Sequence, residues 1–221
     1  RVQTLAVRER VLALLANVDD ALVAKVAEGL GMDVPAPLPL ASKDPIPAYE
    51  PSPALSLLAR PGETGIRTRR VAILVANGVD GDAVRAMYAS LLKDGAVPRL
   101  VGNMLGKVKT SAGNPLDVEI SLEAGPSVMY DAVIVPDGDK SADLLGRNAQ
   151  AIDFLREQYR HCKPILALGG GADLLTKAMI PATLPDGADD PALLIDGSLD
   201  AFKEALASHR SFARETDPPM V

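Results

Sequence analysis

The sequence predicts an α/β fold: a parallel sheet with helices on both faces, preceded by a helical pair and a proline-rich extended linker. Three observations predict it. Short apolar runs recur between helical stretches after Arg70. Eight prolines crowd residues 33–69. Ahead of them lie two short stretches with apolar residues at helical spacing.

Residues 4–31 read as two helices. Leu5, Val11, Leu12 and Leu15 share one face, and Ala21, Leu22, Val26 and Leu30 continue the stripe. Asn17 and Asp19 can break and recap the chain between them, and Gly29 and Gly31 can end the second helix. Two helices this short cannot bury their stripes on each other alone. They therefore call for a neighbour, either the following domain or one outside this chain. The chain opens on Arg1 and not on Met, with a helical pattern almost at once, which reads as a fragment or a processed chain.

Residues 33–69 form the linker. Pro35, Pro37, Pro39, Pro45, Pro47, Pro51, Pro53 and Pro61 fix φ and remove backbone donors, so neither a helix nor an inner strand can form there. Such a segment runs extended over a surface. Leu55, Leu57 and Leu58 suggest that part of it is docked. A proline-rich partner motif is the rival reading, but no basic pattern flanks the prolines.

From Arg70 the apolar runs are continuous, as in strands buried on both faces. Val71–Ala76, Val97–Val101, Tyr130–Val135 and Pro164–Leu168 are the strands, with Leu193–Ile195 as a short last one. Between them lie a helix capped by Asp80 or Asp82 and running to about Lys93, helices over Asp139–Leu145 and Asn148–His161, and a glycine-led helix over Gly169–Met179. Ser198–His209 closes the domain, capped by Ser198 or Asp196. Residues 104–122, punctuated by Gly106, Gly113, Asn114 and Pro115, read as a hairpin excursion.

Composition narrows the function. Tryptophan is absent and aromatics make up 3%, so the core must be aliphatic. A net charge of −6 argues against nucleic-acid binding, which needs a basic face. No apolar run approaches the roughly 20 residues that span a bilayer, and no signal peptide opens the chain. A single cysteine, Cys162, makes neither an internal disulfide nor a cysteine-based zinc site, and is compatible with a reducing, cytoplasmic setting.

Ligands of open α/β sheets bind beyond the carboxyl ends of the strands. One loop there, Asn77–Asp82, carries neither a dinucleotide fingerprint nor a phosphate-loop lysine, and its acids are most simply helix caps. The other, Ala167–Ala172, has the strand–turn–helix layout of a nucleophile elbow. Its apex is Gly169, which has nothing to attack with. Gly169, Gly170 and Gly171 could instead bind an anion through free N–H groups, or simply let the helix pack close to the sheet. Cys162 follows His161, but neighbours at a helix end do not usually face each other, and Cys162 reads as a small packed hydrophobe. His209 is placed to favour the negative pole of the last helix.

SPALSLLARPGETGIRTRRVAILVANGV (Ser52–Val79) closely resembles the junction between the helical and carboxy-terminal domains of large-subunit heme catalases. LANVDDALVAKVAEGLGM (Leu15–Met32) is similar to the end of that family's helical domain. YDAVIVPDG (Tyr130–Gly138), HCKPILALGGGADLL (His161–Leu175) and FKEALASHRSFARE (Phe202–Glu215) resemble its carboxy-terminal domain. The resemblance implies three parts: residues 1–32 ending the helical domain, 33–69 as linker, and 70–221 as a flavodoxin-like domain akin to the class I glutamine amidotransferase and DJ-1/PfpI group. Members of that group place a cysteine at the elbow, often followed by histidine; here Gly169 and Gly170 stand at those positions. The resemblance further implies a catalytically silent domain that stabilises a parent homotetramer by contacting the catalase core domains. It also allows chaperone-like holding of unfolded clients, or self-association. Peroxide dismutation in the parent needs heme held by a tyrosinate in an R-x-x-x-Y pattern and a distal histidine. None of Tyr49, Tyr88, Tyr130 or Tyr159 has Arg four residues before it, and neither His161 nor His209 lies in the distal context. No cofactor or metal residue is therefore expected in this chain.

Overall fold

The alternation of side chains along a strand sorts each apolar run onto two faces, and the structure follows it. The computed structural model describes residues 3–40, 65–184 and 186–216. The chain divides into two units, Arg1–Ala59 and Arg60–Val221.

In the first unit, α1 (Leu5–Leu15) and α2 (Asp20–Leu30) pack around buried Leu12, Val23 and Ala27. Asp19 caps α2 by accepting from Leu22 N at 2.7 Å. The helix ends at Gly31, which is left-handed (φ 62°), and Gly29 lies inside it. The seam takes only part of the predicted stripe: Leu12, Leu15, Val26 and Leu30 join it, while Leu5, Val11 and Leu22 are exposed, because a single helix–helix seam covers only a narrow strip of each partner. Residues 33–40 are irregular and tied back to α1, with Leu38 N donating to Ala13 O at 3.0 Å. The rest of the linker, with Leu55, Leu57 and Leu58, lies outside the described residues.

The second unit is built on a six-stranded parallel sheet in the order β5-β2-β1-β6-β7-β8. The strands are β1 (Arg70–Leu74), β2 (Val97–Gly102), β5 (Ile120–Ser121), β6 (Ala132–Val135), β7 (Ile165–Ala167) and β8 (Leu193–Ile195). β3 (Gly106–Lys109) and β4 (Pro115–Val118) form the separate antiparallel hairpin expected between Met104 and Leu122. The hairpin then returns to the main sheet through β5, which pairs with β2; this strand was not predicted.

Ala72, Leu74, Val133, Val135, Ile165 and Ala167 face one way, toward α4 (Asp139–Gly146), α5 (Ala149–Arg160) and α6 (Gly171–Lys177). Val71, Ile73, Val75, Ala132, Ile134 and Leu166 face the other way, toward α3 (Gly81–Lys93) and α7 (Leu199–Ser208). Each face is thus covered, which is why Val71–Leu74, Ala132–Val135 and Ile165–Ala167 carry no polar residue on either side. Asp80 caps α3, accepting from Asp82 N and Ala83 N at 3.1 Å, and Ser198 caps α7. α6 starts at Gly171, so Gly169 and Gly170 belong to the turn.

Candidate functional site

β7 ends at Ala167, and the chain turns through Leu168, Gly169 and Gly170 into α6. Gly169 has φ 49°, the left-handed region in which glycine meets no Cβ penalty. The two strands flanking β7 each deliver a carboxylate onto this turn. Asp137 follows β6, and its Oδ1 accepts from Gly170 N at 2.8 Å and from Gly138 N at 2.7 Å. Asp196 follows β8, and its Oδ1 accepts from Gly169 N at 2.7 Å. Gly171 N donates to Leu168 O at 2.8 Å. All three glycine N–H groups are therefore engaged within the chain, two of them by carboxylates.

The turn also has little room. A Cβ on Gly169 would stand 2.1 Å from Asp137 Oδ1. One on Gly170 would stand 2.4 Å from Asp139 Oδ1 and 2.9 Å from Asp139 N, and one on Gly171 would stand 2.6 Å from Val135 O. The three glycines let the turn lie directly against the loop that follows β6. Asp80 N donates to Asp137 O at 2.9 Å, so that loop is in turn tied to the start of α3. Asp137 and Asp196 were not foreseen. Both directly follow predicted strands, but nothing in sequence spacing joins either to Gly169.

The other singled-out residues lie elsewhere. Cys162 precedes β7, at the opposite end of the strand from Gly169. It is buried, with φ 57°. The His161 ring is engaged one helical turn back, with Nε2 3.1 Å from Glu157 Oε2. His209 Nε2 stands 3.4 Å from Asp131 Oδ1. The structure therefore brings neither histidine to the turn. Tyr88 hydrogen-bonds Glu119 at 3.1 Å, Tyr130 packs against Phe154 with ring centroids 5.7 Å apart, and the Arg214 guanidinium covers the Tyr159 ring. Burial, and then Glu119, pushes the Tyr88 phenol above its ordinary value; burial likewise raises Tyr130. Tyr49 lies outside the described residues. Among the described residues no group of three or more His, Cys, Asp or Glu is placed to hold a metal ion. No described helix is long and apolar enough to cross a membrane.

Comparison with known proteins agrees with this geometry. Residues 67–216 match the family described as the C-terminal domain found in long catalases. A catalase HPII of Pseudomonas putida is 38% identical over 205 residues, covering 91% of this chain and 27% of that protein. A catalase HPII of Mycobacterium avium is 36% identical over 230 residues, covering 98% of this chain and 32% of that protein. The chain thus spans about a third of the length of these relatives. Among solved structures, a two-domain protein of Anabaena variabilis containing DJ-1/ThiJ/PfpI-like and ferritin-like domains shares the fold, with a TM-score of 0.50 and 21% identity. The match covers 52% of this chain and 34% of that one. The expected α/β architecture, akin to the DJ-1/PfpI group, is the one observed.

Proposed function

This chain belongs to the family of C-terminal domains found in long catalases, and from that membership we propose that it is the catalytically silent accessory part of such an enzyme, steadying the assembled protein without itself transforming substrate. The observation that carries the reading is the filled apex of the β7–α6 turn. Glycine stands where a nucleophile would be needed, and the Asp137 carboxylate occupies the space its Cβ would take. The turn's donors serve Asp137 and Asp196, which would repel an added anion. A DJ-1/PfpI-type activity is the rival reading, and it finds no reactive side chain at this turn.

On this reading, dismutation of hydrogen peroxide to water and oxygen, and the heme that supports it, belong to the part of the parent outside this chain. The described tyrosines do not suit an axial ligand of heme. None of Tyr88, Tyr130 and Tyr159 has Arg four residues before it, the spacing of the R-x-x-x-Y pattern. Exposed Leu5, Val11, Leu14 and Val18 on and after α1 are apolar surface suited to the catalase core domains of a cytoplasmic homotetramer. Isolated, the same surface supports self-association or holding of unfolded clients, which suppression of light scattering by a heated client at stoichiometric amounts would register.

The test compares the whole parent enzyme with a form ending before Arg60. The shortened form should keep turnover at each heme, yet lose activity faster on heating and dissociate at lower denaturant. Equal inactivation half-lives and equal dissociation midpoints would overturn the stabilising role. Turnover of peroxide, peptide or amide by this chain alone, abolished by a point change within it, would overturn the silent one.

A further inference from the structure

The methionines of this chain fall into two kinds. Met104 and Met179 are each 76% exposed, and neither joins any of the three hydrophobic clusters formed by the described residues. Met87, on α3, is 6% exposed and packs inside the core. Met32 and Met129 lie between these extremes. Met220, the sixth, is outside the described residues.

Met179 is the informative member. It follows α6 with φ 57°, its N donates to Thr176 O at 2.9 Å, and Ile180 N donates to Leu175 O at 3.0 Å. That pair of bonds is the Schellman closure of a helix, whose left-handed position glycine fills at least cost. A methionine there carries backbone strain, and so exposed a side chain gains little packing in return. Met104 lies in the bend between β2 and β3, its side chain likewise mostly in water. The fold thus presents two thioethers to solvent from two separate turns.

We infer that Met104 and Met179 are sites at which hydrogen peroxide oxidises this chain, each taking up one oxygen as the sulfoxide without disturbing the fold. The inference rests on the reading above only for the presence of peroxide; the chemistry needs this chain alone. A lone pair of Sδ attacks one peroxide oxygen, the O–O bond breaks as the S–O bond forms, and the other oxygen leaves as water. The sulfur is oxidised by two electrons and the peroxide is reduced by two. Sulfoxide formation disrupts a core, because it makes an apolar side chain polar. At Met104 and Met179 the new oxygen is hydrated instead.

Peptide mass spectrometry of the 221-residue chain during exposure to hydrogen peroxide should show one oxygen added at Met104 and one at Met179. Met87 should react at least about tenfold more slowly, because it must wait for the fold to open. Both fast rates should be flat between about pH 5 and 8, whereas a thiol route through Cys162 would accelerate as the thiol ionises. The chain carrying these two sulfoxides should melt within about 2 °C of the untreated chain. Met104→Leu with Met179→Gly should remove both fast additions and leave Met87 slow. Glycine suits the φ of 57°, so this variant keeps the turn after α6. Oxidation of Met104 and Met179 no faster than that of Met87, or a larger fall in melting temperature caused by the two oxygens, would overturn the inference. Either result would leave the accessory role standing, since that role is read from the shortened parent enzyme.

Discussion

The carboxylate of Asp190 and the guanidinium of Arg214 form an ion pair sealed from water, each side chain about 1% exposed. Arg214 Nε donates to Asp190, and Nη1 donates to Lys163 O at 2.8 Å. The guanidinium also lies 4.6 Å from the centroid of the Tyr159 ring. The other Asp190 oxygen accepts from Ala192 N at 2.9 Å, just ahead of β8. One side chain thus fastens the helical turn at Phe212–Thr216 to α5, to the lead-in of β7 and to the loop entering β8.

Removing one member of a buried pair leaves the other charge unpaired, so Arg214→Met should destabilise the domain by about 3–5 kcal/mol. Much of that loss reflects the stranded Asp190. The double variant Arg214→Met, Asp190→Asn should therefore be more stable than Arg214→Met alone. Urea unfolding of the three proteins measures both expectations, and a double variant no better than the single one would show that packing, not charge, dominates.

Restoring a cysteine at the elbow should be costly. Gly169→Cys places a side chain at φ 49° and drives the Asp137 carboxylate away from Gly170 N and Gly138 N. The expected loss is about 1–3 kcal/mol. Gly169→Cys with Asp137→Ala should recover the part due to the clash and keep the part due to backbone conformation. A Gly169→Cys protein as stable as its parent would show that the turn has room, and would weaken the reading of a filled apex.

Helix α3 should depend on its cap. Asp80→Ala removes the acceptor shared by Asp82 N and Ala83 N and should cost about 0.5–2 kcal/mol in thermal or urea unfolding. The Asp80 backbone bond to Asp137 O survives the change, so the loop after β6 should keep its place.

The sheet was legible because a strand covered on both faces must be apolar throughout, and Val71–Ala76 and the Ala132–Val135 part of the predicted Tyr130–Val135 strand announce that directly. β5 was not, since two half-buried residues, Ile120 and Ser121, carry no periodic signal. At the candidate site the glycine apex could be read from position alone. Its two carboxylates could not, because Asp137 and Asp196 reach Gly170 and Gly169 only through the order of β6, β7 and β8 in the sheet. The Asp190–Arg214 pair escaped for the same reason: contacts between distant segments leave no trace in local spacing. On α1 and α2 the stripe is only partly covered: Leu12, Leu15, Val26 and Leu30 join the seam while Leu5, Val11 and Leu22 stay exposed, as expected of two short helices that cannot bury their stripes on each other alone.

Lys163 should make stability depend on alkaline pH. Its pKa falls from the ordinary 10.5 to about 8, chiefly through burial and then through Arg210. Below about pH 8 the folded and unfolded chains both hold the proton, and the full penalty of burying an ammonium is in place. Between about 8 and 10.5 the folded state releases the proton while the unfolded state keeps it, so this residue's contribution to stability rises with pH. Above 10.5 both are neutral and the penalty is gone. At roughly 1.4 kcal/mol per pH unit, the swing is on the order of 3 kcal/mol. Lys163→Met, which fills the same space without a charge, should therefore be more stable than the unaltered chain at pH 7, by less than that amount because the bond to Ser127 O is lost. The advantage should shrink steadily as pH rises through the window. Taking the difference between the two proteins cancels the other lysines and the tyrosines, which titrate alike in both. Urea unfolding at pH 7, 8.5 and 10 reads it, and a difference constant across those points would mean that the ammonium is solvated or matched by a counter-charge in the folded chain.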